Sequence, residues 1–440
     1  MEFFGDDVLL GGQSAQSLYA SVRNLPIIDY HCHLDEYAIM RDDGFADVGQ
    51  LWLGADHYKW RAMRMNGIDE KYITGDASWK EKFLAYASVM PKLIGGPLYY
   101  FTHLELRAVF GITRPLNENT AEEIYAEANE KIKDLSVRKL LKSFDVEYIA
   151  TTDDPVSDLS AHGVYDGVTV APTFRPDKAL YPTAEYLAML GSAWGREITS
   201  VSDLRQALVD RLDFFTSKGC KIADHGFFEF PKRYASDEEA EEIFRKGESA
   251  SADEKDALFG HLLLFIAKEY ARRGVLLQLH FSVTRNVNPT VFASQGVDRG
   301  CDVFSNSVSA DGVIKFLSSM TDDERPKIVM YSLNPSAVPM LACISGAFRN
   351  VLMGAAWWFN DTKEGIKANL SQIAEYACLG NNLGMLTDSR SFSSYVRFDF
   401  FRRLLCDYVG GLVDKGEYDM ESARLLVKDI CYDNIKKTLG

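Results

Sequence analysis

The sequence predicts an α/β protein, a (β/α)8 barrel of the TIM type with a helical insertion after the first strand. Three observations predict it. About eight short apolar runs of strand length recur along the 440 residues, and helix-period segments lie between most of them. Alternation of strand and helix argues for a parallel sheet. The third observation is positional: His, Asp and Arg follow directly after the apolar run in strand after strand, where a barrel places its active-site groups.

Residues 1–34 hold an entry segment with a short amphipathic helix near 15–23 and the first strand near 25–30. Residues 35–145 change character. Tryptophan and tyrosine become frequent, and helical patterns cover 56–65, 78–90, 99–110, 121–128 and 136–144. The fourth of these is expected to start on a cap at Asn119-Thr120, with Glu122 and Glu123 favourably placed in the first turn. Residues 146–440 complete the barrel. The remaining strands are predicted at 146–151, 167–172, 219–223, 274–279, 326–331, 350–354 and 383–386. Helices are predicted at 201–215, 253–272, 312–320, 335–348 and 365–379. A doubly wound open sheet is the rival, but no Gly-x-Gly-x-x-Gly opens the first helix.

The net charge of -15 argues against nucleic acid as a partner. It also means that an anionic ligand needs local cations in its site. Seven scattered cysteines without a Cys-x-x-Cys pair suit reduced thiols in a cytoplasmic compartment. The opening residues are acidic where a signal peptide would be basic, and no apolar run reaches membrane-spanning length. A soluble, cytoplasmic protein is expected, with no membrane partner.

The first strand runs into Asp29-Tyr30-His31-Cys32-His33. Alternate residues of a strand share a face, so His31 and His33 are expected to point one way and to share a divalent cation. A catalytic site needs a further protein ligand and an open position. Asp388, after the last strand, supplies the ligand, because first and last strands are neighbours in a closed barrel. The alternative for Asp388 is a cap for a helix starting near Ser394. His280, after the fifth strand, is a further ligand or a substrate contact. Arg175 and Arg390, at the ends of the third and last strands, are the cations that an anionic ligand requires, since arginine holds carboxylates through a bidentate fork.

Several stretches together carry a resemblance along essentially the whole chain. They are Asp29–Leu34, Trp52–Arg64 with His57-Tyr58-Lys59-Trp60, Thr173-Phe174-Arg175-Pro176-Asp177, Ala223-Asp224-His225-Gly226, Leu277–Phe281, Trp357-Trp358-Phe359-Asn360-Asp361 and Leu386–Phe392. In this order they resemble the uronate (glucuronate) isomerase family of the amidohydrolase superfamily. The chain departs from the family pattern at Phe398, where a histidine is expected, and in the loops after His280.

The resemblance implies interconversion of D-glucuronate with D-fructuronate and of D-galacturonate with D-tagaturonate. It implies zinc on His31, His33 and Asp388, with His57, Tyr58, Arg175, Asp224, His280 and Arg390 lining the site. Within it, Arg390 and the metal would fix the sugar's acid end, Asp388 would take the ring hydroxyl proton, and Tyr58, near Arg175 or His57, would shuttle the proton between C2 and C1. A homo-oligomer is expected. The enzymatic alternative is a metal-dependent hydrolase or decarboxylase of the same superfamily, acting on a sugar acid or related carboxylate. The sequence weighs against it, because only Ser332-Leu333-Asn334 follows the sixth strand, where a further histidine would sit. A sugar-acid-binding protein without catalysis would need the arginines but not the metal triad.

Overall fold

A computed structural model describes residues 2–440. Seven parallel strands follow the predicted runs: β1 (Ile27–Asp29), β2 (Val146–Ala150), β3 (Val168–Ala171, resumed after Pro172 at Thr173–Phe174), β4 (Ile222–Gly226), β5 (Leu276–Phe281), β6 (Ile328–Ser332) and β7 (Val351–Met353). β1 pairs with β2, and β2 with the first half of β3. The second half of β3 pairs with β4, and the order continues through β5 and β6 to β7. The eighth predicted strand is extended chain without a regular ladder. It nevertheless closes the ring: Asn382 Nδ2 donates to Met353 O, Asp388 N donates to His31 O, and His33 N donates to Ser389 O. A closed barrel leaves no unpaired edge.

The strands are nearly continuously apolar because both faces are covered. The barrel interior holds Ile28, Tyr30, Ala150, Ile222, Leu276 and Tyr331 among its buried residues. Tyr30 spans it, donating from its hydroxyl to Gly384 O and accepting Gln278 Nε2 at its carbonyl. Gly354 is required beside it: a Cβ there would lie 2.0 Å from the ring of Tyr331.

Between β1 and β2 the chain is helical, with Glu36–Arg41, Val48–Leu53, His57–Met65, Trp79–Val89, Pro97–Phe110, Ala121–Ile132 and Val137–Ser143. Trp79–Val89 starts on a capping box in which Ser78 and Glu81 each bond the other's backbone N–H. The cap expected at Thr120 is not formed. Thr120 donates instead to Pro115 O, and its backbone is already αR. The side chain satisfies a local carbonyl in place of the helix end, a competition open to any threonine at a turn.

Two strands are shifted far enough to take in predicted site residues. β4 and β5 start later and run on to Gly226 and Phe281, so Asp224 and His280 lie within strands rather than after them. Their apolar neighbours in the ladder extend the pairing past the polar residues. The sequence reading also missed two hairpins, Gly163–Tyr165 with β3 and Val283–Thr284 with Val303–Phe304.

Candidate active site

One cavity of about 310 Å³ lies at the C-terminal ends of the strands. All nine predicted site residues except Asp224 line it, and Asp224 lies directly behind Arg175 and His280.

The His31–His33 pair is not made as the strand argument supposed. β1 ends at Asp29, and both histidines lie beyond it. They converge because the chain interleaves with the eighth segment through the His31 and Ser389 carbonyls. Asp29, fully buried, pins the same seam by accepting Thr387 N at 2.9 Å and Thr387 Oγ1 at 2.5 Å. Asp388 does not cap a helix, since the short 3-10 helix Phe392–Tyr395 starts on Ser391. Its backbone takes the left-handed φ of 46°. That conformation costs energy for a non-glycine residue and is characteristic of functional positions. Asp388 Oδ1 lies 3.2 Å from both His31 Nε2 and His33 Nε2, and Trp357 Nε1 donates to Oδ2 at 2.7 Å. Burial opposes the Asp388 charge, yet the two imidazoles hold its carboxyl well below the usual range.

Two imidazole nitrogens and a carboxylate oxygen converging on one point are the donor set of a divalent cation with open positions. The residues fit such an ion. A second convergence, His31, Asp224 and His280, is already charge-balanced. Asp224 Oδ2 lies 2.9 Å from Arg175 Nη1, and Oδ1 accepts His280 Nδ1 at 2.6 Å. That bond fixes the His280 tautomer and leaves Nε2 as a buried, unpartnered acceptor. The His280 ring stacks on Tyr331 at 4.5 Å and on His31 at 4.6 Å.

Arg175 is held by Asp177, whose Oδ2 accepts its Nε at 2.9 Å, and Asp177 in turn takes His225 Nδ1 and Gly226 N. Gly226 makes room for the guanidinium, since a Cβ there would lie 2.3 Å from Arg175 Nη2. On the opposite wall Arg390 donates from Nη1 to His57 Nε2 and from Nη2 to Asp298, each at 2.9 Å. Burial, aided by Arg390, lowers the His57 pKa to about 4, so this imidazole is neutral and accepts the arginine.

Tyr58 reaches the cavity from the first turn of His57–Met65, whose N-terminus is capped by Asp56. The positive neighbour expected for it is neither Arg175 nor His57 but Arg397, whose guanidinium carbon lies 4.7 Å from its ring centre. Burial dominates and pushes the phenol well above its ordinary value, so Tyr58 stays protonated. Trp357, Asp298, Arg285 and Arg397 were missed as site residues. Trp357 alone carried a signal, a tryptophan directly after the seventh strand. Phe398 is buried beside Tyr395 and does not line the cavity.

Parallel strands, a His-His-Asp cluster at their C-terminal ends and two arginines facing one cavity define an α/β-barrel enzyme built for a metal and an organic anion. The glucuronate isomerase family model matches residues 1–439, and the chain belongs to that family. The uronate isomerase of Caldicellulosiruptor bescii is 40% identical, over 100% of this chain and 99% of its own. That of Lachnoclostridium phytofermentans is 41% identical over the same shares. Among solved structures, the uronate isomerase of Thermotoga maritima superposes with a TM-score of 0.96 at 36% identity, each chain wholly covered. Glucuronate isomerase of Caulobacter crescentus gives 0.93 at 25% identity, with 99% of this chain and 96% of that one covered.

Proposed function

We infer that this protein is an aldose–ketose isomerase of hexuronates, interconverting D-glucuronate with D-fructuronate and D-galacturonate with D-tagaturonate. The observation that carries the reading is a chain-long family match whose signature residues meet in a single cavity. The hydrolytic alternative is not favoured, because Ser332 and Leu333 at the end of β6 bring no further metal-binding group.

A divalent cation, zinc in this reading, held by His31, His33 and Asp388 would polarise and neutralise the acid end of the sugar. Arg390 offers its guanidinium to the same carboxylate, oriented by neutral His57 on one side and Asp298 on the other. Fixing that end orients C1 and C2, and such positioning supplies much of the catalysis available to a proton-transfer enzyme. Asp388 accepts the ring hydroxyl proton as the sugar opens and passes it to the departing ring oxygen. His280 Nε2, neutral and unpartnered, is the group free to accept the C2 proton and return it to C1, with Asp224 holding its other nitrogen. Tyr58, kept protonated, donates a hydrogen bond to the oxygens at C1–C2 rather than acting as a phenolate, and Arg175 supplies positive charge where the enediolate oxygen develops.

Seven free cysteines support the cytoplasmic assignment. Among the described residues no helix is long and apolar enough to cross a membrane. A homo-oligomer is part of the same reading. Residues 35–145 are read as the insertion that brings His57 and Tyr58 to the mouth.

The test is turnover of D-glucuronate and D-galacturonate in deuterated water, following ketose and deuterium at C1 and C2. Ketose from at least one uronate is expected. No ketose from either overturns the reading.

A further inference from the structure

Beside the cavity, with Asp56 in its wall, lies a block of charges to which the reaction above assigns no role. Lys59 Nζ is 3.0 Å from Asp56 Oδ2 and 3.5 Å from Glu105 Oε2, and all three residues are buried. Arg397 adjoins them and is 2% exposed. It sits in the first turn of helix Val396–Asp414, where the helix dipole disfavours a cation. Its nearest carboxylate, Asp361, is 3.8 Å away, longer than a hydrogen bond. A buried cation at the wrong end of a helix breaks two local rules. Apolar residues of similar volume often replace buried ion pairs without loss of stability, so stability alone does not account for Arg397. Departures of this kind concentrate at functional sites.

The geometry shows what the guanidinium does. Its carbon lies 4.7 Å from the ring centre of Tyr58 and 5.1 Å from that of Phe101. Its Nη1 donates to the carbonyl of Thr387, the residue before Asp388, at 2.6 Å. The Tyr58 hydroxyl has no hydrogen-bond partner of its own to hold it. One planar group therefore ties together the turn that carries Asp388 and the ring that carries the Tyr58 hydroxyl.

We propose that Arg397 is a positioning residue for the isomerisation: packed between the Tyr58 and Phe101 rings and bonded to the Thr387 carbonyl, it sets the Tyr58 hydroxyl at a fixed place relative to Asp388. The inference rests on the donor role given to Tyr58 above. Lysine keeps the charge but lacks the flat face, so it does not substitute.

The test compares metal-loaded wild type, Arg397→Lys, Tyr58→Phe and the double variant. Arg397→Lys is expected to lower kcat by at least about tenfold, with KM within about threefold and metal content per chain unchanged. In the Tyr58→Phe background the same change is expected to cost less than about twofold, because residues acting as a unit are not additive. A crystal structure of Arg397→Lys should show the Tyr58 hydroxyl displaced by more than about 1 Å, a shift large enough to cost turnover. Wild-type kcat in Arg397→Lys, fully additive losses in the double variant, or an unmoved Tyr58 would each overturn the proposal. Wild-type turnover in Tyr58→Phe would instead remove the donor role, and the crystallographic position of Tyr58 then decides the positioning role alone. Should Arg397→Lys fail to fold, Phe101→Leu removes one face of the sandwich without touching a charge, and the same cycle is run with it.

Discussion

The two walls of the cavity are built by opposite means. At the seam of first and last strands, backbone bonds do most of the placing: His31 and Ser389 lend their carbonyls, and a single buried carboxylate, Asp29, clasps Thr387. The side chains there are left free to face one another. At the insertion, side chains do the placing. Asp56 caps the helix that carries His57 and Tyr58, Lys59 bridges Asp56 to Glu105, and Ser393 donates to Glu105 from beyond the eighth segment. The difference teaches where each wall is vulnerable. The seam is expected to lose a functional group and keep its fold, whereas the insertion is expected to lose stability with a buried charge.

The sharpest break of this contrast is Asp388→Asn. Turnover is expected to fall by about 10³-fold or more, with metal content falling alongside, as is usual when a charged ligand and proton acceptor is removed together. Stability of the metal-free protein should change by less than about 1.5 kcal/mol, because the seam's backbone bonds remain. Steady-state kinetics, metal analysis and denaturant unfolding check the three parts. A large loss of apo stability would mean that the carboxylate, not the backbone, holds the seam.

Lys59→Met reverses the pattern. It removes the cation that bridges the buried Asp56 and Glu105 and leaves only Arg397 beside them, and breaking a buried pair in this way costs about 3–5 kcal/mol. Denaturant unfolding reads the loss. Metal content of the protein that remains folded should be unchanged, because no ligand lies on that side. A stability within about 1 kcal/mol of wild type would show that the charges are solvated or protonated rather than paired.

The smallest effect concerns His103, which sits in the same insertion far from the chemistry. Its Nδ1 donates to Tyr99 O at 2.7 Å and its Nε2 accepts Leu116 N at 3.1 Å, so the second bond needs the neutral ring. Burial lowers its pKa to about 4, against an ordinary value of 6.5. The unfolded chain therefore binds the proton first as pH falls. Stability from this group is complete above about pH 6.5, declines as pH drops toward 4, and levels below that, a span of about 3 kcal/mol. Comparing unfolding of wild type and His103→Gln from pH 7 to 4 measures it. Parallel pH curves for the two proteins would show that His103 contributes nothing to the acid sensitivity.

Much of the architecture was legible in the chain. Seven of the eight apolar runs are strands in the expected order, and the eighth lies where expected although its ladder is irregular. The long helices Val201–Ser217 and Ala252–Arg273 match their predicted spans closely because their periodicity is long and uninterrupted. Strand ends were less legible. Asp224 and His280 read as residues after a strand because they are polar, whereas their neighbours' hydrogen-bonding partners carry the ladder past them. Thr120 read as a cap because its residue type suits one, and a nearby carbonyl took the hydroxyl instead.

Composition, periodicity and residue order alone pointed to the fold class, to the cations needed against a net charge of -15, and to His31, His33, Asp388, Arg175 and Arg390 as candidates, because these follow from residue type and from the adjacency of first and last strands. Tertiary structure alone decided what those candidates face. It brought Trp357 onto Asp388, Asp298 onto Arg390 and Arg397 under Tyr58, pairs separated by 31, 92 and 339 positions in the chain. No local pattern encodes such contacts, since they exist only once the barrel has closed and burial has stripped water from the charges, so that each must find its partner.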